Sequence, residues 1–335
     1  MLLSFFFSAA FAFHSVPTSA LFNTSFTHIN LPTNNNQVQS FTRNSNQEIT
    51  ELPSSSTALN MSLRAWQCSG RSNLEMIENL KLVSNFHDLI HTIFSLKSYI
   101  LCTSASKAGI IKSEPVRQAL SRVDRANYAD AYAYSDAPQG IGSGQTISAP
   151  HMHAHALEEI LPTLVKFSRK VPQPELKVLD VGCGSGYLVT AFGRLMDQNG
   201  PISPLAKGRV FGLEVIPRLT KLSKENILKE DRDLLESDTV SIHQGDGWKG
   251  LPEHAPFHAI HVGAAAETFP MQLMMQLELG GVMVIPVGPD GGFQNLYKVT
   301  RVHMNDEYHK EDFHIETLMG VRYVPLVHRT KHFEE

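Results

Sequence analysis

Short apolar segments and helical segments alternate along the second half of the chain. The apolar segments are Leu176–Val181, Arg209–Val215, Thr239–His243, Phe257–Val262 and Val282–Val287. Helical patterns precede or separate them at Ala154–Phe167, Tyr187–Met196, Arg218–Glu230 and Met271–Glu278. A short apolar run that ends just before a glycine is typical of a buried parallel strand. The alternation predicts an α/β protein with a doubly wound, mostly parallel, Rossmann-like sheet that binds ligands at the carboxyl ends of its strands.

The region before this pattern contains two further predicted helices and a loop. Ser72–Leu82 is a predicted helix, in which Ser72 is the N-cap and Glu75 completes a capping box. A second helix is predicted to begin at Ser113. The segment Pro138–Pro150 is rich in glycine and proline, so we predict a loop without regular structure.

The first 60 residues differ in composition from the rest of the chain. Met1–Phe13 is apolar but too short to span a bilayer, and no basic residue precedes it. His14–Asn60 is rich in serine, threonine and asparagine, which is poor material for a core. Two interpretations remain open: a disordered extension upstream of a second start at Met61, or an organelle-targeting segment. We expect residues 61–335 to form one folded domain.

Composition restricts the class of protein. Of the 335 residues 42% are hydrophobic and 19% charged, so a large buried core is feasible. The net charge of −4 gives no electrostatic reason to expect a nucleic-acid partner. The three cysteines show no CxxC or zinc-finger spacing, which fits a reducing compartment and favours a cytoplasmic location.

A glycine-rich loop follows the first predicted strand of the sheet. Gly182, Gly184 and Gly186 alternate with other residues, which allows a tight turn close to a ligand. The dinucleotide-binding pattern GxGxxG fails, because Tyr187 stands where its third glycine is needed. Asp180, two residues before the first glycine, would repel a pyrophosphate and suits a cationic ligand. These features indicate S-adenosylmethionine, which carries an ammonium and a sulfonium.

Carboxylates also stand at the ends of the next two predicted strands. Glu214 ends the second strand, where it can accept hydrogen bonds from both ribose hydroxyls of an adenosine. Asp246 follows the third strand and can accept from the adenine amino group. Three carboxylates at successive strand ends favour an adenosyl cofactor over the alternative of a nucleotide-dependent dehydrogenase.

Several blocks resemble the protein-L-isoaspartate O-methyltransferase family. They are Tyr128, Pro138-Gln139, Ile141-Gly142, Gly144–Ala154, Ala259–Ala266, Pro286–Pro289 and Leu318–Leu326. The resemblance extends from Met61 to about Arg329, apart from one interruption. It implies a class I enzyme that transfers a methyl group from S-adenosylmethionine to the free α-carboxylate of L-isoaspartyl residues, which initiates repair through a succinimide.

The resemblance assigns roles to particular residues. It implies Ser148 as the active-site residue, with Ser185 and its neighbouring glycines at the methionine end of the cofactor. Glu214 replaces the aspartate of many family members, and Val327 stands where relatives can carry threonine. The expected cofactor-binding residues are Gln145, Thr146, Ile147, Ser148, His153, Asp180, Gly182, Gly184, Ser185, Gly186, Glu214, Asp246 and Gly247.

The expected reaction needs neither a strong base nor a metal. The acceptor carboxylate is ionised at neutral pH, because its reference pKa is about 4. Ser148 is expected to orient it with a hydrogen bond and not to act as a nucleophile, since no GxSxG surrounds it. His151 and His155 would share a helix face, but no HExxH follows, so we predict no metal. His261 either closes a strand or lies near the substrate.

The segment Leu82–Lys107 interrupts the resemblance. It can be an added amphipathic helix for a partner or membrane surface, or a helical insertion packed on the domain. A third reading is translation of an unspliced intron, because a splice donor read in frame can encode Val83-Ser84. Each reading leaves the glycine-rich loop intact.

Two alternatives to the repair enzyme remain. One is a methyltransferase of the same fold that acts on a small-molecule carboxylic acid, and the other is a cofactor-binding module without turnover. For the repair enzyme we expect isoaspartyl-containing proteins and peptides as partners, no nucleic acid, no membrane association and a monomeric state.

Overall fold

The computed structural model describes residues 69–81, 109–197, 199–202 and 208–328. The expectations for residues 1–60, for a second start at Met61 and for Leu82–Lys107 therefore lie outside the described residues. Within the described ranges, no helix is both long and apolar enough to cross a membrane.

A seven-stranded sheet forms the centre of the fold, in the order β5-β4-β3-β6-β7-β8-β9. Its strands are β3 (Leu176–Val181), β4 (Gly208–Glu214), β5 (Val240–Gln244), β6 (Phe257–Val262), β7 (Leu277–Val287), β8 (Gln294–Arg301) and β9 (Phe313–Val321). The five strands β5, β4, β3, β6 and β7 pair in parallel with their neighbours. β8 pairs antiparallel with β7, and β9 pairs antiparallel with β8. The predicted α/β class and mostly parallel sheet are confirmed.

Helices cover the sheet. They are α1 (Asn73–Leu80), α2 (Glu114–Ser121), α3 (Pro150–Ser168), α4 (Tyr187–Met196), α5 (Pro217–Glu230), α6 (Arg232–Glu236) and α7 (Met271–Met275). Neighbouring side chains of β3 enter opposite layers, because successive residues of a strand face opposite sides. Val178 packs into one apolar cluster and Leu179 into the other. The sheet is therefore buried on both faces, as its apolar strands predict.

The capping box of α1 forms in a modified way. The Ser72 hydroxyl accepts a hydrogen bond from the Glu75 amide at 3.3 Å, as predicted. The Glu75 carboxylate, however, accepts from the amide of Arg71 at 2.8 Å. Both side chains still satisfy amide groups at the start of the helix.

The prediction of an irregular loop over Pro138–Pro150 is wrong. This segment contains a hairpin of β1 (Gln139–Gly142) and β2 (Gln145–Ile147). The turn between the strands has positive φ at Gly142, Ser143 and Gly144. Glycine adopts such angles without strain, so the glycines here favour a tight hairpin turn.

Three other boundaries or elements differ from expectation. α3 begins at Pro150 and not at Ala154, because proline is well suited to the first turn of a helix. The helical pattern of Met271–Glu278 ends at Met275, and β7 begins two residues later. The antiparallel strands β8 and β9 were not predicted, because both carry partly exposed positions in place of an apolar run.

His258 makes stability depend on pH. Burial lowers the pKa of this histidine to about 4, and its Nδ1 accepts a hydrogen bond from the Lys177 amide at 3.0 Å. The unfolded chain has the ordinary pKa near 6.5, so it binds the proton first as pH falls. The neutral His258 therefore contributes to the free energy of unfolding, fully above about pH 6.5 and progressively less toward pH 4. At pH 5 the loss of this free energy is about 2 kcal/mol.

We therefore expect the His258→Asn variant to lose less stability than the wild type between pH 7 and pH 5. Urea unfolding at the two pH values measures the difference, and His314→Asn at an exposed position is the control. An unchanged pH dependence in His258→Asn would contradict the assignment.

Candidate active site

The glycine-rich loop joins β3 to α4 at the carboxyl end of the sheet. Gly182, Gly184 and Gly186 have φ angles of 73°, 54° and 90°. Only glycine adopts these angles readily. The amides of Gly182 and Cys183 donate to the carbonyl of Leu213 at 2.8 and 3.2 Å. The loop is thus fixed to the end of β4.

Asp180 lies at the floor of a cavity beside this loop. Its Oδ1 is 2.7 Å from Nδ1 of His261, and both residues are buried. Its Oδ2 is also buried and has no hydrogen-bond partner among the described residues. An ionised carboxylate only accepts hydrogen bonds, so Nδ1 of His261 carries the proton. The remaining oxygen fits a cationic group in the cavity, which has a volume of about 340 Å³.

Glu214 stands at the end of β4. Its carboxylate accepts hydrogen bonds from the amides of Gly184 and Ile216, each at 3.0 Å. Burial raises its pKa, whereas these amides act in the opposite direction. A carboxylate has about four acceptor sites, so sites remain for the hydroxyls of a ligand.

A larger cleft of about 520 Å³ continues from the cavity past Glu214. The two spaces share Thr146, Gly182, Gly184 and Gly263 as lining residues. One wall is the segment Val324–Val327, which follows β9. Ala265 fixes this wall: its amide donates to the Val324 carbonyl at 2.8 Å, and its carbonyl accepts from the Leu326 amide at 2.7 Å. The whole forms an elongated site.

Ser148 lies between β2 and α3, at the cavity. Its carbonyl accepts a hydrogen bond from Nη2 of Arg125 at 2.6 Å. Arg125 is fully buried, and its guanidinium lies 5.0 Å from the centre of the Tyr187 ring. Burial lowers the pKa of Arg125 to about 10, so the group is charged at neutral pH. A buried cation thus holds the main chain of the predicted active-site serine.

Arg125 also determines the tautomer of His153. Its Nη1 lies 3.1 Å from Nδ1 of His153. Burial, and then the charge of Arg125, lower the pKa of His153 well below its usual range. The neutral ring accepts at Nδ1, because a guanidinium can only donate. Nε2 therefore carries the proton and can donate to a ligand.

Most of the predicted site residues are brought together. Those lining the cavity or the cleft are Gln145, Thr146, Ile147, Ser148, His153, Asp180, Gly182, Gly184, Ser185, Glu214 and Gly247. Gly186 and Asp246 line neither. Gly186 precedes α4, where an added Cβ would lie 3.1 Å from Cβ of Ser223. The Asp246 carboxylate accepts from the Trp248 amide at 3.0 Å.

Sequence reasoning missed Arg125 at the site and the fixed backbone of Tyr323 next to the Val324–Val327 wall. Arg125 had no motif to mark it, since its role depends on burial against distant residues. Tyr323 lies within the Leu318–Leu326 block, and its amide donates to Oε1 of Gln294 at 2.6 Å. His261, expected either to close a strand or to lie near the substrate, lies in the cavity wall, where its ring is hydrogen-bonded to Asp180.

The histidines of α3 have other partners. Nδ1 of His151 lies 2.8 Å from Oδ1 of Asp136, and burial lowers the pKa of His155 to about 4. Across the described part of the chain, no group of three or more His, Cys, Asp or Glu residues is arranged to hold a metal ion.

The sequence comparisons with known proteins agree on one family. The sequence profile of the protein-L-isoaspartate (D-aspartate) O-methyltransferases matches residues 97–331. A protein-L-isoaspartate O-methyltransferase of Caenorhabditis elegans is 35% identical over 265 residues, which is 79% of this chain and 96% of the relative. That of Triticum aestivum is 36% identical over 242 residues, or 71% and 95% of the two chains.

A solved structure agrees in fold. It is a Plasmodium falciparum protein described as a protein-L-isoaspartate O-methyltransferase, in complex with S-adenosyl-L-homocysteine. Sequence identity is 31%, the TM-score is 0.55, and the match covers 66% of this chain and 93% of the other. The profile match and these relatives show that the chain belongs to the protein-L-isoaspartate (D-aspartate) O-methyltransferase family.

Proposed function

We infer that this protein is an S-adenosylmethionine-dependent carboxyl methyltransferase that acts on the free α-carboxylate of L-isoaspartyl residues in damaged proteins. Family membership supports the reaction. The observation that carries the proposal is the cavity that Ser148 and Asp180 both line, where one carboxylate oxygen of Asp180 is buried and has no hydrogen-bond partner among the described residues. One group suits an acceptor carboxylate and the other suits the cationic end of the cofactor.

The residues present fit S-adenosylmethionine, which supplies an electrophilic methyl group on a sulfonium when bound. Asp180 would hold the ammonium, because its free oxygen is buried and has no partner among the described residues. His153 would donate from Nε2 to the cofactor carboxylate. Glu214 would accept from the ribose hydroxyls in the adjoining cleft. Gly247 lies next to the same cleft, and a Cβ there would meet Leu326 at 3.0 Å.

Ser148 would orient the acceptor. The substrate carboxylate is already ionised at neutral pH, so no group of the enzyme has to remove a proton. Methyl transfer neutralises this carboxylate, so a hydrogen bond from Ser148 is stronger before the transfer than after it. The serine therefore contributes by binding and alignment and not by stabilising developing charge. The main-chain nitrogen of the substrate then attacks the ester carbonyl and displaces methanol to form the succinimide, without further residues of this protein.

Tritium-methyl transfer to paired peptides tests the proposal. The peptides differ only in isoaspartate against aspartate, and labelled S-adenosylmethionine is the donor. Base-labile label on the isoaspartyl peptide alone is expected. Label on both peptides, or on a free carboxylic acid in their place, would favour the small-molecule alternative.

An inactive wild type that still binds cofactor would call for a second assay. Residues 82–107 would then be deleted, because they interrupt the family resemblance. Activity restored by the deletion would support the function and locate the defect in this segment. If the deleted form were inactive too, the repair function would be abandoned.

The Ser148→Ala variant is expected to lose about 10- to 100-fold in kcat/KM, mostly through a higher KM for the isoaspartyl peptide. The reason is the loss of the hydrogen bond that orients the carboxylate. Steady-state kinetics with the peptide measures the effect, and Ser143→Ala in the exposed hairpin turn is the matched control. Wild-type kinetics in Ser148→Ala would remove the serine from the mechanism.

We propose further that the enzyme is a monomer with one methyltransferase domain at residues 61–335, without nucleic-acid or membrane partners. The net charge of −4 supports the absence of nucleic acid. Sedimentation equilibrium at several protein concentrations tests the monomer, and a mass of two chains would contradict it.

A further inference from the structure

His261 and Asp180 form a buried pair at the carboxyl ends of two neighbouring strands. β3 and β6 pair in parallel with Asp180 opposite His261, so the two side chains lie on the same face of the sheet. Nδ1 of His261 is 2.7 Å from Oδ1 of Asp180, and the two residues are 6% and 1% exposed. The strand register therefore places this histidine beside the carboxylate that is expected to bind the cofactor ammonium.

The hydrogen bond to Asp180 leaves one ring nitrogen of His261 for a ligand. A neutral imidazole has one donor nitrogen and one acceptor nitrogen. Because the ionised carboxylate can only accept, Nδ1 is the donor and Nε2 is the acceptor. A carboxylate on the donor nitrogen also strengthens the acceptor on the other side of the ring. A cofactor ammonium on Oδ2 of Asp180 would disfavour a second positive charge on the ring, so the ring stays neutral.

The ring of His261 belongs to the wall of the cavity beside the glycine-rich loop. His261, Gly263 and Ser148 all line this cavity of about 340 Å³. An added Cβ at Gly263 would lie 3.6 Å from Cε1 of His261, so the glycine leaves this edge of the ring uncovered. Cε1 lies between the two ring nitrogens. The cavity therefore contains a hydrogen-bond acceptor on His261 in addition to the hydroxyl of Ser148.

The two isomers of the substrate differ in the group beside the carboxylate. An isoaspartyl residue carries its main-chain N–H on the same carbon atom as its free carboxylate. In an aspartyl residue a methylene group separates the carboxylate from that carbon atom, so the N–H is farther away. A site that binds the carboxylate and the adjacent N–H together needs a donor and an acceptor in one cavity, and Ser148 and His261 supply them. Such a site rejects a substrate that leaves one of these groups unpaired.

We propose that His261 is a specificity-determining residue whose Nε2 accepts a hydrogen bond from the main-chain N–H beside the isoaspartyl carboxylate. Asp180 then acts on both ligands, because its Oδ1 fixes the tautomer of His261 while its Oδ2 remains for the cofactor ammonium. The inference rests on the proposed function, since it assumes that the carboxylate bound at Ser148 belongs to an isoaspartyl residue.

The His261→Asn variant tests this inference. The amide nitrogen of asparagine can take the place of Nδ1 and donate to Asp180, but no atom replaces Nε2. We expect KM for the isoaspartyl peptide to rise about tenfold and kcat to change less than about twofold. The Kd of S-adenosylmethionine, measured by calorimetry, should change less than about twofold, because the bond to Asp180 is kept. His314→Asn, at an exposed position of β9, is the matched control.

A second substrate shows which group of the peptide His261 binds. A peptide in which an ester oxygen replaces the isoaspartyl main-chain N–H keeps the carboxylate but lacks the donor. The wild type should have a KM about tenfold higher for this peptide, and His261→Asn should raise it further by less than about twofold.

Three results would overturn the inference while the proposed function stands. They are an unchanged KM for the normal isoaspartyl peptide in His261→Asn, multiplied effects of the variant and the ester, and a weaker cofactor Kd in His261→Asn. The last result would assign Nε2 to the cofactor. The tritium-methyl assay tests the function separately, and without transfer by the wild type or the deleted form both proposals fail.

Discussion

The Asp180→Asn variant is expected to bind S-adenosylmethionine about 100-fold more weakly than the wild type and to lose methyl transfer at ordinary cofactor concentrations. Asp180 lines the cavity, and its Oδ2 is buried and has no hydrogen-bond partner among the described residues. A carboxylate and an ammonium that meet there interact strongly, because little water screens them. Removing one partner of such a pair costs about 3 kcal/mol or more, which corresponds to about 100-fold in Kd. Asparagine has nearly the same shape and keeps an oxygen for His261.

Isothermal titration calorimetry measures this effect. The control is Asp238→Asn, at an exposed position with a φ of 56°, which asparagine tolerates well. If Asp180→Asn bound the cofactor as tightly as Asp238→Asn, the ammonium would have to bind elsewhere. The assignment of Asp180 would then be withdrawn.

The Arg125→Met variant is expected to lose about 100-fold in kcat/KM with little change in stability. Two effects on stability oppose each other. The variant leaves the Ser148 carbonyl and Nδ1 of His153 without their donor, which lowers the free energy of unfolding by about 1–3 kcal/mol for each buried group. It also removes a fully buried cation, whose desolvation lowers its pKa to about 10. The loss of activity is not offset in this way, because Ser148 and His153 both lose the hydrogen bonds that Arg125 makes to them.

Peptide kinetics and urea unfolding of the same preparation separate the two quantities. Arg125→Lys is the informative companion, since it keeps the charge but cannot reach both partners with a planar fork. It should remain impaired. Full activity in either variant would show that Arg125 serves packing alone.

The predictable and unpredictable parts of the molecule differ in the range of the interactions that form them. β3 and β6 could be predicted because their mostly apolar and buried runs are local signals. Asp180 and the glycines that follow it were likewise recognisable, since strand, acid and tight turn are adjacent in sequence. The placement of these residues around one cavity followed from the rule that parallel strands present their carboxyl ends at one edge.

The remaining features depend on contacts between distant residues. β1 and β2 are only four and three residues long, and their pairing across Ser143 prevails over a composition typical of loops. Arg125 becomes a site residue only because Ser148 and Tyr187 surround it in the fold. The Tyr323 amide donates to the side chain of Gln294, and no pattern in the sequence links the two residues.

The lining of the cleft comes from segments that are far apart in the sequence, because Ile141 and Val324–Val327 both contribute to it. A ligand bound to both segments is released by any opening that separates them. Occupancy therefore adds to the global free energy of unfolding, by about 2.7 kcal/mol at a ligand concentration 100 times the Kd. Resistance to proteolysis would then rise and fall with the supply of S-adenosylmethionine, so the concentration of the cofactor would set the lifetime of the enzyme as well as its rate.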